Sequence, residues 1–153
     1  MKSLVLLVCL VCGAWAKTQS LRVEGVLSCP SAKKGDKAWI KLYDDDGLLN
    51  INDKMDDKVV KFDRHGEAKF KLEGSASDVG IFDDIDPVFK VYHNCDDTLL
   101  GGKLPCQRRY RVEIKDKYVE SGRSPKKTFD LGVINLSLEQ ESEERDCSLW
   151  RTG

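Results

Sequence analysis

The stretch KVYHNCDDTLLGGKLPCQRR, from Lys90 to Arg109, sets His93, Cys95 and Cys106 around a short polar loop. An imidazole and two thiolates can hold zinc, two thiols can cycle as a redox pair, and two cysteines can staple a loop. Zinc ligands that lie close in sequence use paired spacings such as C-x-x-C, which this stretch lacks. His65 and His93 are the only candidates for imidazole acid–base work. No nucleophile–base spacing accompanies either of them; His65 lies in a turn, and His93 shares a strand face with Val91 and Cys95, as a core histidine does. A third chemistry, cation binding, is raised by LYDDDGLLNIND (42–53). A calcium loop needs glycine at its sixth position and an oxygen ligand at its first. Setting Gly47 at six puts Leu42 at one, so only an irregular site among Asp44, Asp46, Asn50 and Asp53 remains. No metal or cofactor is expected.

Two further features suit binding and modification. The Cys95–Cys106 loop carries Leu99 and Leu100 at its tip, followed by Lys103, with Arg108, Arg109 and Arg111 just beyond. Leucines that dip between headgroups, with arginines to take phosphate oxygens, fit an anionic membrane surface. The competing arrangement folds the leucines back and pairs the arginines with Asp96, Asp97 and Glu113. Trp39 and Tyr43 lie on the polar parity of their strand and are candidate interface aromatics. Asn135-Leu136-Ser137 is an N-glycosylation acceptor sequence.

The compartment decides among the cysteine chemistries. Lys2, the apolar run LVLLVCLV and the small residues Ala14 and Ala16 form a signal peptide, with cleavage expected after Ala16. Eight apolar residues are too few to span a bilayer, which needs about 20. The expected mature chain, residues 17–153, is a single secreted domain of the extracellular space or cell surface, with no transmembrane segment. Its net charge near −2 gives no support to a nucleic-acid partner. Four cysteines remain, Cys29, Cys95, Cys106 and Cys147, and an even count in a secreted chain points to disulfides. Three connectivities are open; the local pair Cys95–Cys106, with Cys29–Cys147 tying the ends, is the expected one.

The elements that must position these residues alternate apolar and polar side chains at period two. LRVEGVLSC faces Leu21, Val23, Leu27 and Cys29 inward; KAWIKLYD faces Ala38, Ile40 and Leu42 inward and Lys41 outward. VVKFD leads into a turn at Asp63–Gly66, and GEAKFKLEG buries Ala68, Phe70 and Leu72. PVFKVYHNC and CQRRYRVEIKDKY follow, the latter with Tyr110, Val112 and Ile114 inward. TFDLGVINLSLE changes parity between Phe129/Leu131 and Ile134/Leu136/Leu138, and Gly132 is placed for a β-bulge. Residues 44–57, 118–127 and the acidic EQESEERDC read as loops. Seven strands without an amphipathic helix predict an all-β, two-sheet sandwich.

RVEGVLSC, IKLYDDD, the Asp63–Gly74 hairpin, DPVFKVYHNC, PCQRRYRVEI and EERDC, in that order, resemble the nematode transthyretin-like family over about residues 22–147. The resemblance implies a seven-stranded, disulfide-stabilised transthyretin-like (prealbumin-like) sandwich. It also implies an extracellular binding or bridging role, with anionic phospholipid headgroups or a cell-surface receptor as partners. Two alternatives come with the fold: a carrier of a small apolar ligand in an oligomeric channel, and a 5-hydroxyisourate-hydrolase-like enzyme. The hydrolases place a histidine in their first strand, where RVEGVL has none, so no catalytic residue is expected. The oligomeric state is not legible in the residues.

Overall fold

The computed structural model describes residues 17–46, 51–78, 84–97 and 106–147. The expected signal peptide and three loop residues, Leu99, Leu100 and Lys103, lie outside them. The described residues form nine strands: β1 (Lys17–Ser28), β2 (Lys37–Asp46), β3 (Ile51–Lys61), β4 (Glu67–Asp78), β5 (Pro87–His93), β6 (Gln107–Glu113), β7 (Glu120–Ser121), β8 (Phe129–Asn135) and β9 (Glu144–Asp146). They build two packed sheets. In the four-stranded sheet β1 pairs antiparallel with β4 on one side, and on the other with β7 and, in parallel, with β8. The five-stranded sheet runs β3-β2-β5-β6-β9, all antiparallel.

The period-two pattern sets which residues meet between the sheets. Leu21, Val23, Leu27, Ala68, Phe70 and Leu72 come from one sheet, and Ala38, Ile40, Leu42, Phe89 and Val91 from the other, all buried. Phe70 stacks on Phe89 across the gap, with ring centroids 4.9 Å apart and planes within 11°. The expected turn at Asp63–Gly66 carries the chain from β3 in one sheet to β4 in the other. There Asp63 Oδ1 accepts the backbone N–H groups of His65 and Glu67, and those bonds hold its carboxyl below the usual range. Gly132 forms the expected bulge, with φ +66°: β8 advances three residues, Asp130 to Val133, while β1 advances two, Glu24 to Val26.

Several expectations are corrected. There are nine strands among the described residues instead of seven. Within the acidic segment, residues 44–46 and 51–57 belong to β2 and β3, because charged residues on outward positions cost little to a strand whose other face is buried. Asp44 is fully buried there; its Oδ1 accepts the Asp86 N–H at 2.8 Å. The irregular cation site thereby loses Asp44, and the neighbouring Asp45 pairs with Arg111; Asn50 lies outside the described residues. Residues 120–121 and 144–146, read as loops, form β7 and β9. Leu138 is exposed, because β8 ends at Asn135 and the chain turns away from the core after Leu136.

The cysteine pairing is also corrected: the disulfides are Cys29–Cys95 and Cys106–Cys147. Cys29 follows β1 of one sheet and Cys95 follows β5 of the other, and both are buried, so the first bond pins the two sheets together. β6 and β9 are in register with Gln107 opposite Asp146, which places Cys106 and Cys147 as the next facing pair.

Candidate functional site

The outer face of the five-stranded sheet gathers the aromatic and cationic residues. Antiparallel register aligns Trp39 with Tyr92 and Arg109 in one row across β2, β5 and β6. The next row is Lys41, Lys90 and Arg111, three cations directly opposite one another. Lys41 was expected in solvent, yet it is only 6% exposed because its side chain lies flat under aromatic rings. Its Nζ stands 3.6 Å from the Trp39 ring centroid, 5.4 Å from that of Tyr92 and 5.8 Å from that of Tyr43. Lys90 Nζ stands 5.0 Å from the Tyr43 ring centroid. Such contacts contribute about 0.5–2 kcal/mol each, more as water is excluded.

Acidic groups border this face. Trp39 Nε1 donates to Asp57 at 3.0 Å, and Lys54 pairs with the same carboxylate at 2.7 Å. The hydrogen bond from Lys54, with a smaller one from Trp39, lowers the Asp57 pKa. Arg111 pairs with Asp45 at 2.7 Å and Glu113 at 3.2 Å, and Arg109 with Glu144 and Asp146. Beside Arg111 the face opens into a cleft of about 590 Å³ lined by Asp45, Pro87, Val88, Glu113 and Lys115 among others.

Arg108 belongs to a different structure. It has inward parity on β6 and is buried. Its guanidinium pairs with Glu143 through two nitrogens and donates to the carbonyls of Cys95 at 2.7 Å, Leu136 at 3.1 Å and Leu138 at 3.3 Å. With its donors so committed, Arg108 is removed from the candidate membrane-facing set; it ties β5, β6 and the β8–β9 connection together. Asp97 is held by Arg145, at 2.8 and 3.0 Å. The arginine pairing that competes with phosphate binding is thus observed for all three arginines: Arg111 pairs with the expected Glu113 and with Asp45, and Arg108 and Arg109 pair with acids other than those expected.

The histidines do not form an acid–base pair. His65 is exposed in its turn and accepts from Arg64 Nε at Nε2 (3.0 Å). His93 is 1% exposed; its Nδ1 accepts the Cys95 N–H at 3.2 Å, and Nε2 is buried without a hydrogen-bond partner. Burial, and secondarily the charge of Arg108, push its pKa down to about 4. His93 is therefore neutral at physiological pH and shut off from solvent. The described residues contain no group of three or more His, Cys, Asp and Glu side chains able to hold a metal ion, and no helix long and apolar enough to cross a membrane.

Sequence reasoning found Trp39, Tyr43, Arg109 and Arg111 but missed Lys41, Lys90 and Tyr92. The signal was present in the outward parity of Lys90 and Tyr92 on β5. It needed the β2–β5 register to become a row.

A disulfide-pinned, two-sheet sandwich of the prealbumin type is the class these features define. The chain belongs to the transthyretin-like family, whose model matches residues 24–115. It is 41% identical over 134 residues to transthyretin-like protein 33 of Caenorhabditis elegans, covering 85% of this chain and 82% of that one. It is 35% identical over 147 residues to transthyretin-like protein 5 of the same nematode, covering 94% and 97%.

Proposed function

We propose that this protein is a secreted, non-enzymatic binding module that docks an anionic cell-surface ligand, such as phosphatidylserine headgroups, on the outer face of its five-stranded sheet. The observation that carries the reading is the Lys41–Lys90–Arg111 row. Arg111 is the most exposed cation of the row, and the half-buried Trp39 and Tyr43 supply rigid contact area beside it for an arriving phosphate or carboxylate. Secretion is supported by the leader-like N-terminus and by two disulfides, which persist in oxidising compartments. The shuttered, low-pKa His93 supports the non-enzymatic part.

The carrier alternative needs an apolar surface to build a channel. The outer face of the four-stranded sheet instead carries ion pairs, Arg22 with Glu73 at 2.7 Å and Lys71 with Glu24 at 3.3 Å. The test is co-sedimentation of the mature, oxidised protein with liposomes containing or lacking phosphatidylserine, at low and high salt. Binding that needs the anionic lipid, weakens with salt and falls in Lys90→Gln is the expected result. Loss in Leu99→Ser/Leu100→Ser with Lys90→Gln unaffected moves the site to the Cys95–Cys106 loop. No binding to either liposome removes the lipid and turns the search to protein partners.

A further inference from the structure

We infer that Asn135 is an N-glycosylation site whose glycan covers the open edge of β8. It is the single Asn-x-Ser/Thr sequence in the chain. A sequon inside a strand would be a poor acceptor, but Asn135 is the last residue of β8, and Leu136–Leu138 form a turn. Its side-chain Oδ1 accepts the Ser137 N–H at 3.0 Å, an Asx turn that closes the sequon on itself. The carbonyl half of the amide is thereby occupied, while Nδ2 makes no hydrogen bond among the described residues. A glycan on Nδ2 displaces no hydrogen bond among the described residues.

The surroundings supply a reason for one. β8 pairs only with β1, so among the described residues its other edge is unpaired. Exposed edges are templates for pairing with a second chain, and natural sheets cover them. Two of the three large hydrophobics exposed among the described residues flank the sequon: Val133 at 68% and Leu138 at 59%. Val133 shares the outer parity of Asn135, so a glycan rooted there stands beside it. The donor class is a polyprenyl-diphosphate-linked oligosaccharide. Its anomeric carbon–phosphate oxygen bond breaks, the carbon–Nδ2 bond forms, one amide proton passes to a base of the transferase, and polyprenyl diphosphate leaves.

The inference rests on the secretory route proposed above, and the experiment separates the two. The full chain is expressed in a secreting eukaryotic cell, and its location and intact mass are read before and after treatment with a peptide N-glycosidase. A protein in the medium that loses one glycan's mass, with the loss reproduced by Asn135→Gln and independently by Ser137→Ala, is the expected result. A secreted protein of unmodified mass overturns this inference alone; a chain retained in the cytosol overturns the secretory reading and this one with it. Sedimentation velocity then compares glycosylated and enzymatically deglycosylated protein. Increased self-association after deglycosylation is expected, and identical sedimentation overturns the shielding role.

Discussion

Arg108 is the side chain whose loss the fold would feel most. Its partner Glu143 is 7% exposed at the side chain, and the carbonyls it serves lie on separate elements. Arg108→Ala leaves that carboxylate buried and unpaired and should cost about 3–5 kcal/mol. Arg109→Ala, which breaks pairs reaching an exposed Glu144, should cost less than about 1 kcal/mol. Urea unfolding of both variants at neutral pH checks the contrast; equal losses would mean that Arg108 is not the tie. His93 gives a pH signature. Its folded pKa of about 4 lies below its ordinary 6.5, so the unfolded chain takes up the proton first. Its stabilising contribution is complete above pH 6.5 and is lost as the pH falls toward 4. At about 1.4 kcal/mol per pKa unit the loss is bounded near 3 kcal/mol. The lowered carboxyls Asp57 and Asp63 act below their ordinary 3.8, outside this window. His93→Gln should flatten the stability profile between pH 6.5 and 4, read by denaturant titrations across that range; an unchanged slope would point to another group.

Among the elements, the two disulfides and the β3–β4 turn make separable predictions. Non-reducing peptide mapping of the oxidised protein should recover Cys29–Cys95 and Cys106–Cys147. These bonds span 66 and 41 residues of sequence, and constraining the unfolded chain makes each worth up to about 4 kcal/mol. Two glycines with left-handed backbone separate strain from collision. Gly132, at the β8 bulge, has φ +66° and open space around its missing Cβ; Gly132→Ala should cost only the conformational term, about 1–2 kcal/mol. Gly66, at φ +73°, lies against the backbone of Cys29 and Pro30, and a Cβ there would run into the Cys29 carbonyl. Gly66→Ala should therefore lose clearly more, because the turn must move off the end of β1. Comparing the two urea midpoints decides it; equal costs would mean that the turn can yield.

At the scale of the whole molecule, the sandwich holds because each sheet supplies half of one core. Phe89 is buried on β5 and stacks on Phe70 of β4, so it joins the sheets where neither strand pairs with the other. Phe89→Ala should destabilise by about 3–5 kcal/mol. Val59→Ala, on an exposed position of β3, should stay within about 0.5 kcal/mol of wild type by the same urea measurement. A small effect at Phe89 would mean that the sheets close over the gap. The division of labour between the two outer faces is also a whole-molecule property. Ion pairs cover one, whereas the other gathers Lys41 and Lys90 under aromatic rings with ion pairs at its border, which is why ligand binding is proposed on the second.

The strands and their inward faces were legible because period-two alternation is a local consequence of the pleat. The Asp63–Gly66 turn and the Gly132 bulge were legible for a similar reason: a turn needs particular residues, and a parity change needs an extra one. The ends of β2 and β3 were hidden by acidic residues, since outward positions tolerate charge and resemble loop sequence. The transthyretin-like family was readable because its short motifs survive in order along one chain. Pairing between distant segments was decided only by the tertiary structure. Proximity along the chain favoured Cys95 with Cys106, but register across β6 and β9 and the packing of β1 over β5 chose otherwise. Register likewise turned Trp39, Lys41, Tyr43, Lys90, Tyr92 and Arg111 into one face and drew Arg108 away from it. A side chain's own strand sets the face it points to; the strands beside it set what it meets.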